Sequence, residues 1–191
     1  MILTLVRHGE PMRGATGSEA ADPSLSAAGR REIVAARALV AADGYDVVYC
    51  SPLRRARESA EILTSGAVVR VDDDLAEFDR GTDRYLHWED GAEIYESYLA
   101  GDLSPWGTTL EEFRARIMSV VERMRVEAGA RRVLAVTHGG VINNFLATLL
   151  DSSRVTLFQP TYGSVNRFVY HAREGWTPLE INASGVRPST K

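Results

Sequence analysis

Two short apolar runs in this chain end in the same way. Leu3-Thr4-Leu5-Val6 leads into Arg7-His8-Gly9, and Leu134-Ala135-Val136 leads into Thr137-His138-Gly139. Each reads as a buried strand stopped by a His-Gly turn. In open α/β sheets ligands gather beyond the carboxyl ends of the strands, near a switch in strand order. If these two strands are neighbours, both imidazoles enter one crevice. The chain has only four histidines, so a matched pair is hard to attribute to chance.

The rest of the chain supplies the helices that such a sheet requires. Ser26 is placed to cap a helix running through Ala42, with Ile33, Ala36, Leu39 and Val40 on its apolar side. Residues 46–49 read as a second buried strand. Ser51-Pro52 then opens a helix reaching about Leu63, with Ser as N-cap and Pro at the first helical position. Residues 67–71 form a third strand. Thr108-Thr109-Leu110-Glu111 reads as a capping box, and Leu110, Phe113, Ile117, Val121 and Met124 follow at helical spacing. The strand ending at Thr137 passes through His138-Gly139-Gly140 into a helix over 141–150, and a hairpin around Glu174-Gly175 closes the chain.

Strands alternating with helices imply an α/β fold: a three-layer sandwich, with a largely parallel central sheet and helices on both faces. The expected organisation is a single domain over 1–191. Residues 72–107 form a small helical flap inserted over one end, and 185–191 a loose tail.

Composition narrows the partners. The net charge of −4 gives no support for nucleic acid, so any anion site must come from a local concentration of arginine. No run of about 20 apolar residues is present to span a bilayer, and the first residues lack the pattern of a signal peptide. A cytoplasmic location, with no membrane partner, is expected by default. Cys50 is the single cysteine and reads as a small buried hydrophobe at a strand end. Asp72-Asp73-Asp74 reads as a solvated cap rather than a metal site, so neither metal nor cofactor is expected. His87 and His171 read as structural. Arg80, Arg84, Tyr85, His87 and Trp88 could form either a substrate-recognising rim or ordinary flap packing.

Glycines after both histidines permit a sharp turn with unusual φ and let backbone N–H groups approach an anion. Arg7 precedes His8, and Arg54, Arg55 and Arg57 follow Ser51-Pro52-Leu53. Arginine suits phosphate because its planar fork matches two oxygens at once.

At this point a resemblance is plain. Arg7-His8-Gly9-Glu10 resembles the signature of the histidine phosphatase superfamily, the phosphoglycerate mutase-like proteins. Leu25-Ser26-Ala27-Ala28-Gly29, Ser51-Pro52-Leu53-Arg54-Arg55-Ala56, Leu75-Ala76-Glu77 and Val136-Thr137-His138-Gly139-Gly140 resemble its further motifs, in order and at approximately the same spacing. The resemblance covers roughly residues 1–150. It implies that His8 is the nucleophile and is transiently phosphorylated. It implies that Arg7, Arg55 and His138, with a backbone N–H at Gly139, hold the phosphoryl oxygens, and that Glu77 is the proton donor. Glu10, Asp79 and Asp83 are other acids that could approach the same space.

Three departures from the family pattern stand out. Pro11 and Gly14 replace a Thr and a phosphate-side Asn, a contact either lost or supplied by Arg13. Phe78-Asp79-Arg80-Gly81-Thr82 replaces the usual segment after the acid, and Glu58-Ser59 stands where Gln-Thr is usual.

The implied activity is a metal-independent phosphomonoesterase acting through phosphohistidine on a small phosphorylated metabolite, with phosphate ester or free phosphate as ligand. Two alternatives remain: a phosphoglycerate-type phosphomutase, and a non-catalytic module that binds phospho-ligands. A homodimer is left open.

Overall fold

A computed structural model describes residues 1–85, 92–129 and 131–185. Six strands form one sheet: β1 (Ile2–Arg7), β2 (Val47–Cys50), β3 (Val69–Val71), β4 (Arg132–Thr137), β5 (Val165–His171) and β6 (Gly175–Ala183). Their spatial order is β3-β2-β4-β1-β5-β6. The first four are parallel, and the β5–β6 hairpin adds antiparallel to β1.

Alternation along the central strands builds two cores. Leu3 and Leu5, Val47 and Tyr49, and Val133 and Ala135 face one side. There they meet Phe113, Ile117, Val121 and Met124 of α4 (Leu110–Ala128) and Ile142 and Phe145 of α5 (Gly139–Leu149). Val6, Val48, Cys50, Leu134 and Val136 face the other. They meet Ile33, Ala36 and Val40 of α1 (Ala27–Asp43) and Ala56, Ala60 and Leu63 of α2 (Arg54–Thr64). Side chains on a strand point alternately to its two faces, so every second residue serves a different layer. This is the three-layer α/β sandwich expected. One further helix, α3 (Ala92–Leu99), lies in the expected flap segment, and its Tyr98 is buried in the first core.

Local details differ from expectation in three places. Ser51 does not cap α2, which starts at Arg54 with Leu53 at the cap position. The Asp22 carboxylate accepts the Arg54 N–H instead, at 2.8 and 2.9 Å. A carboxylate from a distant loop thus meets the positive helix end, and the Ser51 hydroxyl is released for another task. The capping box lies one residue later than expected. Extended backbone at Thr109 lets its hydroxyl accept the Glu112 N–H, while Glu112 accepts the Thr109 N–H. Finally, α5 begins at Gly139, so His138 itself occupies the cap position. Cys50 is buried at the end of β2, and burial pushes its thiol up to about 11. His171 closes β5, away from the histidine pair. His87, Trp88 and residues 186–191 lie outside the described residues.

Candidate active site

The β1–β4 pairing puts Arg7 opposite Thr137, so His8 and His138 leave adjacent strand ends together. Their ring centroids are 5.0 Å apart. His8 is held by its backbone, which donates to the Thr137 carbonyl at 2.9 Å. Its Nδ1 lies 2.7 Å from the Gly9 carbonyl oxygen. A carbonyl only accepts, so Nδ1 carries the proton and Nε2 is left as the basic nitrogen.

His138 is oriented from the other side. Its Nε2 lies 2.7 Å from the Ser51 hydroxyl, which also accepts the Leu53 N–H at 3.3 Å. Burial, followed by the positive charges of Arg55, His8 and Arg7, holds the His138 pKa well below its ordinary value. The ring is therefore neutral. A Ser51 hydroxyl that donates to Nε2 puts the proton of His138 on Nδ1, and we assign that tautomer here.

Arg55 is 1% exposed although charged, with Asp22 and Asp79 each 3.5 Å from its guanidinium and the Tyr85 ring 4.5 Å beneath it. Arg54 faces solvent between Glu19 and Glu58, and Arg57 is exposed. Arg7 donates to the Pro160 carbonyl, and its guanidinium carbon stands 4.0 Å over the Tyr162 ring. Among the described residues, four buried side-chain polar atoms have no hydrogen-bond partner. Three of them are Arg7 Nε, Arg55 Nε and His138 Nδ1. Buried polar groups are otherwise almost always paired, so three unpaired N–H donors beside one imidazole point to an anionic ligand.

Glu77 stands across the same pocket. It accepts the Gly140 N–H at 2.7 Å and the Phe78 N–H at 3.3 Å. Burial, then the negative charge of Asp79, pushes its carboxyl up to about 7 against those two hydrogen bonds. The competing acids are placed otherwise. Glu10 accepts from Ser26 at the start of α1, and Asp83 is exposed. Asp79 does line the pocket, with its own pKa raised by burial.

The glycines serve space rather than φ. None of Gly9, Gly139 and Gly140 has a left-handed φ. A Cβ on Gly140 would stand 2.3 Å from the Glu77 carboxylate, and one on Gly9 would stand 2.4 Å from the Gly29 carbonyl. The Gly140 N–H is committed to Glu77. The Gly139 N–H, at the first helical position, has no intrahelical acceptor, and Gly139 packs beside Arg7 Nε.

The pocket encloses about 270 Å³. Sequence reasoning missed most of its wall: Tyr95, Tyr98 and Leu99 from α3, and Thr156, Gln159 and Pro160 from the loop after α5. Asn143 holds that loop, donating to the Phe158 carbonyl and accepting from Leu157 N–H. Of the residues read as either a rim or flap packing, Tyr85 lines the pocket, whereas Arg80 turns to the Asp73 carbonyl and Arg84 is exposed. Arg13 is exposed and lies 3.9 Å from Glu10. Asp72 and Asp74 pair with Arg123. Among the described residues, no helix is long and apolar enough to cross a membrane.

Strand-end imidazoles, buried arginines and a carboxyl near neutrality thus share one pocket region. The family model for the histidine phosphatase superfamily (branch 1) matches residues 3–184, and the chain belongs to that family. It is a phosphatase by that membership and by its relatives. It is 27% identical over 166 residues to a metal-independent phosphoserine phosphatase of Arabidopsis thaliana, covering 79% of this chain and 69% of that one. It is 29% identical over 170 residues to the adenosylcobalamin/alpha-ribazole phosphatase of Salmonella typhimurium, covering 83% and 84%. A mycobacterial glucosyl-3-phosphoglycerate phosphatase superposes with a TM-score of 0.78 at 28% identity, covering 96% of this chain and 99% of that one.

Proposed function

We propose that the chain hydrolyses phosphate monoesters of small molecules through a phosphohistidine on His8. The carrying observation is the set of three unpaired donors, Arg7 Nε, Arg55 Nε and His138 Nδ1, beside an imidazole whose Nδ1 is fixed by Gly9. In the first step Nε2 of His8 bonds to phosphorus as the ester P–O bond breaks. Glu77 gives its proton to the leaving oxygen. Arg7, Arg55, His138 and the Gly139 N–H bind the equatorial oxygens, where each preorganised donor contributes about 3 kcal/mol in the transition state. In the second step Glu77, now a carboxylate, takes a proton from water. The water oxygen bonds to phosphorus and the N–P bond breaks, restoring His8 and releasing phosphate. A carboxyl titrating near neutrality suits both steps, because each needs the opposite charge state.

The test is to quench turnover of a labelled ester in the presence of EDTA. Acid-labile, base-stable label is expected on Nε2 of His8, and His8→Ala should lose essentially all activity. Label on Ser51, or activity that vanishes with EDTA and returns with a divalent ion, would overturn the mechanism.

A further inference from the structure

The pocket around the phosphoryl site carries very little positive charge. Among its described lining residues the only cations are Arg7 and Arg55, both beside His8. Asp22 and Asp79 already face Arg55 at 3.5 Å, and a phosphate dianion would take up both guanidinium charges. The nearby arginines point away: Arg80 to the Asp73 carbonyl, Arg116 to those of Asp74 and Ala76. What the described lining leaves for the leaving group is uncharged or acidic: the rings of Phe78, Tyr85, Tyr95 and Tyr98, Leu99, and the neutral side chains of Asn143, Thr156 and Gln159, beside Asp79.

That wall is rigid. Phe78 stacks on Tyr98 with ring centroids 4.6 Å apart, and Trp106 and Phe113 meet it edge-on at 4.8 and 5.7 Å. The Tyr98 hydroxyl donates to the Val155 carbonyl at 3.2 Å, which fixes α3 against the loop after α5. Tyr95 feels the same carboxylates: burial, then Asp79 and Glu77, pushes its phenol well above the ordinary value. A second carboxylate entering here would meet desolvation and like charge, with no counter-ion among the described lining residues beyond Arg7 and Arg55.

We infer that this site selects phosphate monoesters of uncharged aromatic or apolar alcohols and rejects esters whose alcohol bears a carboxylate, with Asp79 enforcing the rejection. The inference rests on the reading of the site as a phosphoryl pocket. It assigns Asp79 a role in specificity beside its effect on the Glu77 carboxyl.

Two phosphonates that no phosphatase can hydrolyse read this directly on the unaltered protein. Benzylphosphonate and 4-carboxybenzylphosphonate differ only in the carboxylate, so their Kd ratio by calorimetry cancels the shared phosphoryl contacts. Benzylphosphonate is expected to bind at least tenfold tighter. Asp79→Asn, which keeps the shape and an acceptor for Arg55, should narrow that ratio at least threefold. Equal affinities, tighter binding of the carboxylate, no binding of either compound at millimolar concentration, or an unchanged ratio in Asp79→Asn would each overturn the inference. Its failure is distinct from failure of the proposed mechanism. A protein that shows the expected ratio but places no label on His8 loses the phosphohistidine and keeps the selectivity.

Discussion

The hydroxyl of Ser51 and the Nε2 of His138 lie 2.7 Å apart, both fully buried, at the ends of adjacent strands. Ser51 looks in sequence like a helix cap. In the structure it is the hydrogen-bond partner of His138 Nε2. When its proton goes to Nε2, the protonated nitrogen of His138 is Nδ1, which is buried without a partner in the chain.

Removing that hydroxyl has a defined consequence. Ser51→Ala strands a buried ring nitrogen and lets the other tautomer compete. An unsatisfied buried group of this kind costs about 1–3 kcal/mol. The expected result is a fall in kcat of about tenfold or more with KM little changed, and substantial recovery in Ser51→Thr. Steady-state kinetics of both variants on one ester checks this. An unaltered kcat in Ser51→Ala would mean that His138 is oriented by something else.

Arg55 and its neighbours provide a comparison within one helix turn. Residues one or two apart on a helix point in different directions, and here only Arg55 enters the pocket, while Arg54 pairs with Glu19 and Glu58 in solvent. Arg55→Ala should lower kcat/KM by about two to three powers of ten, since it removes charge stabilisation that grows in the transition state. Arg54→Ala and Arg57→Ala should change it only a few-fold. A sensitive Arg54 or Arg57 would relocate the phosphate site.

How much of this was legible in the sequence depends on how local the cause is. The sandwich follows from alternation that each strand shows by itself: Val47 and Tyr49 against Val48 and Cys50 serve two cores. The His8–His138 pairing was legible because both strand ends carry the same turn. The choice of Arg55 came from the resemblance to the family motif; of the three arginines, Arg55 is the buried one that lines the pocket. The glycines were legible as a pattern but not as a reason, since Gly29 is required by the Glu10 backbone and Gly140 by the Glu77 side chain, both distant in sequence. The Asp22 cap on α2 and the Tyr95–Tyr98 wall depend on loops and on α3 folding back from elsewhere, and no periodicity in the chain encodes that. The first face of α4 was read correctly, yet its cap was misplaced by one residue because Thr108 and Thr109 offer the same hydroxyl.

Glu77 ties activity and stability to one titration. Burial and the neighbouring Asp79 raise its carboxyl from an ordinary 4.5 to about 7 in the folded chain. As proton donor it must be protonated when the ester bond breaks, so kcat/KM should fall as pH rises above about 7. Asp79→Asn removes the like charge and should move that limb to lower pH. The stability effect has the opposite origin. Between pH 4.5 and 7 the folded state binds the proton more tightly than the unfolded state, so ν_U − ν_N is negative and stability falls as pH rises through this window. A shift of this size corresponds to a loss on the order of 3 kcal/mol once both states are ionised. Glu77→Gln cannot ionise and should keep the Gly140 N–H bonded. It is expected to be nearly inactive, to melt several degrees above the unaltered protein at pH 8, and to differ little from it at pH 4.5. Melting curves across that range, read beside the pH–rate profile, check both effects. If the variant melts lower at pH 8 than the unaltered protein, Glu77 is a stabilising ion and not a carboxyl held near neutrality.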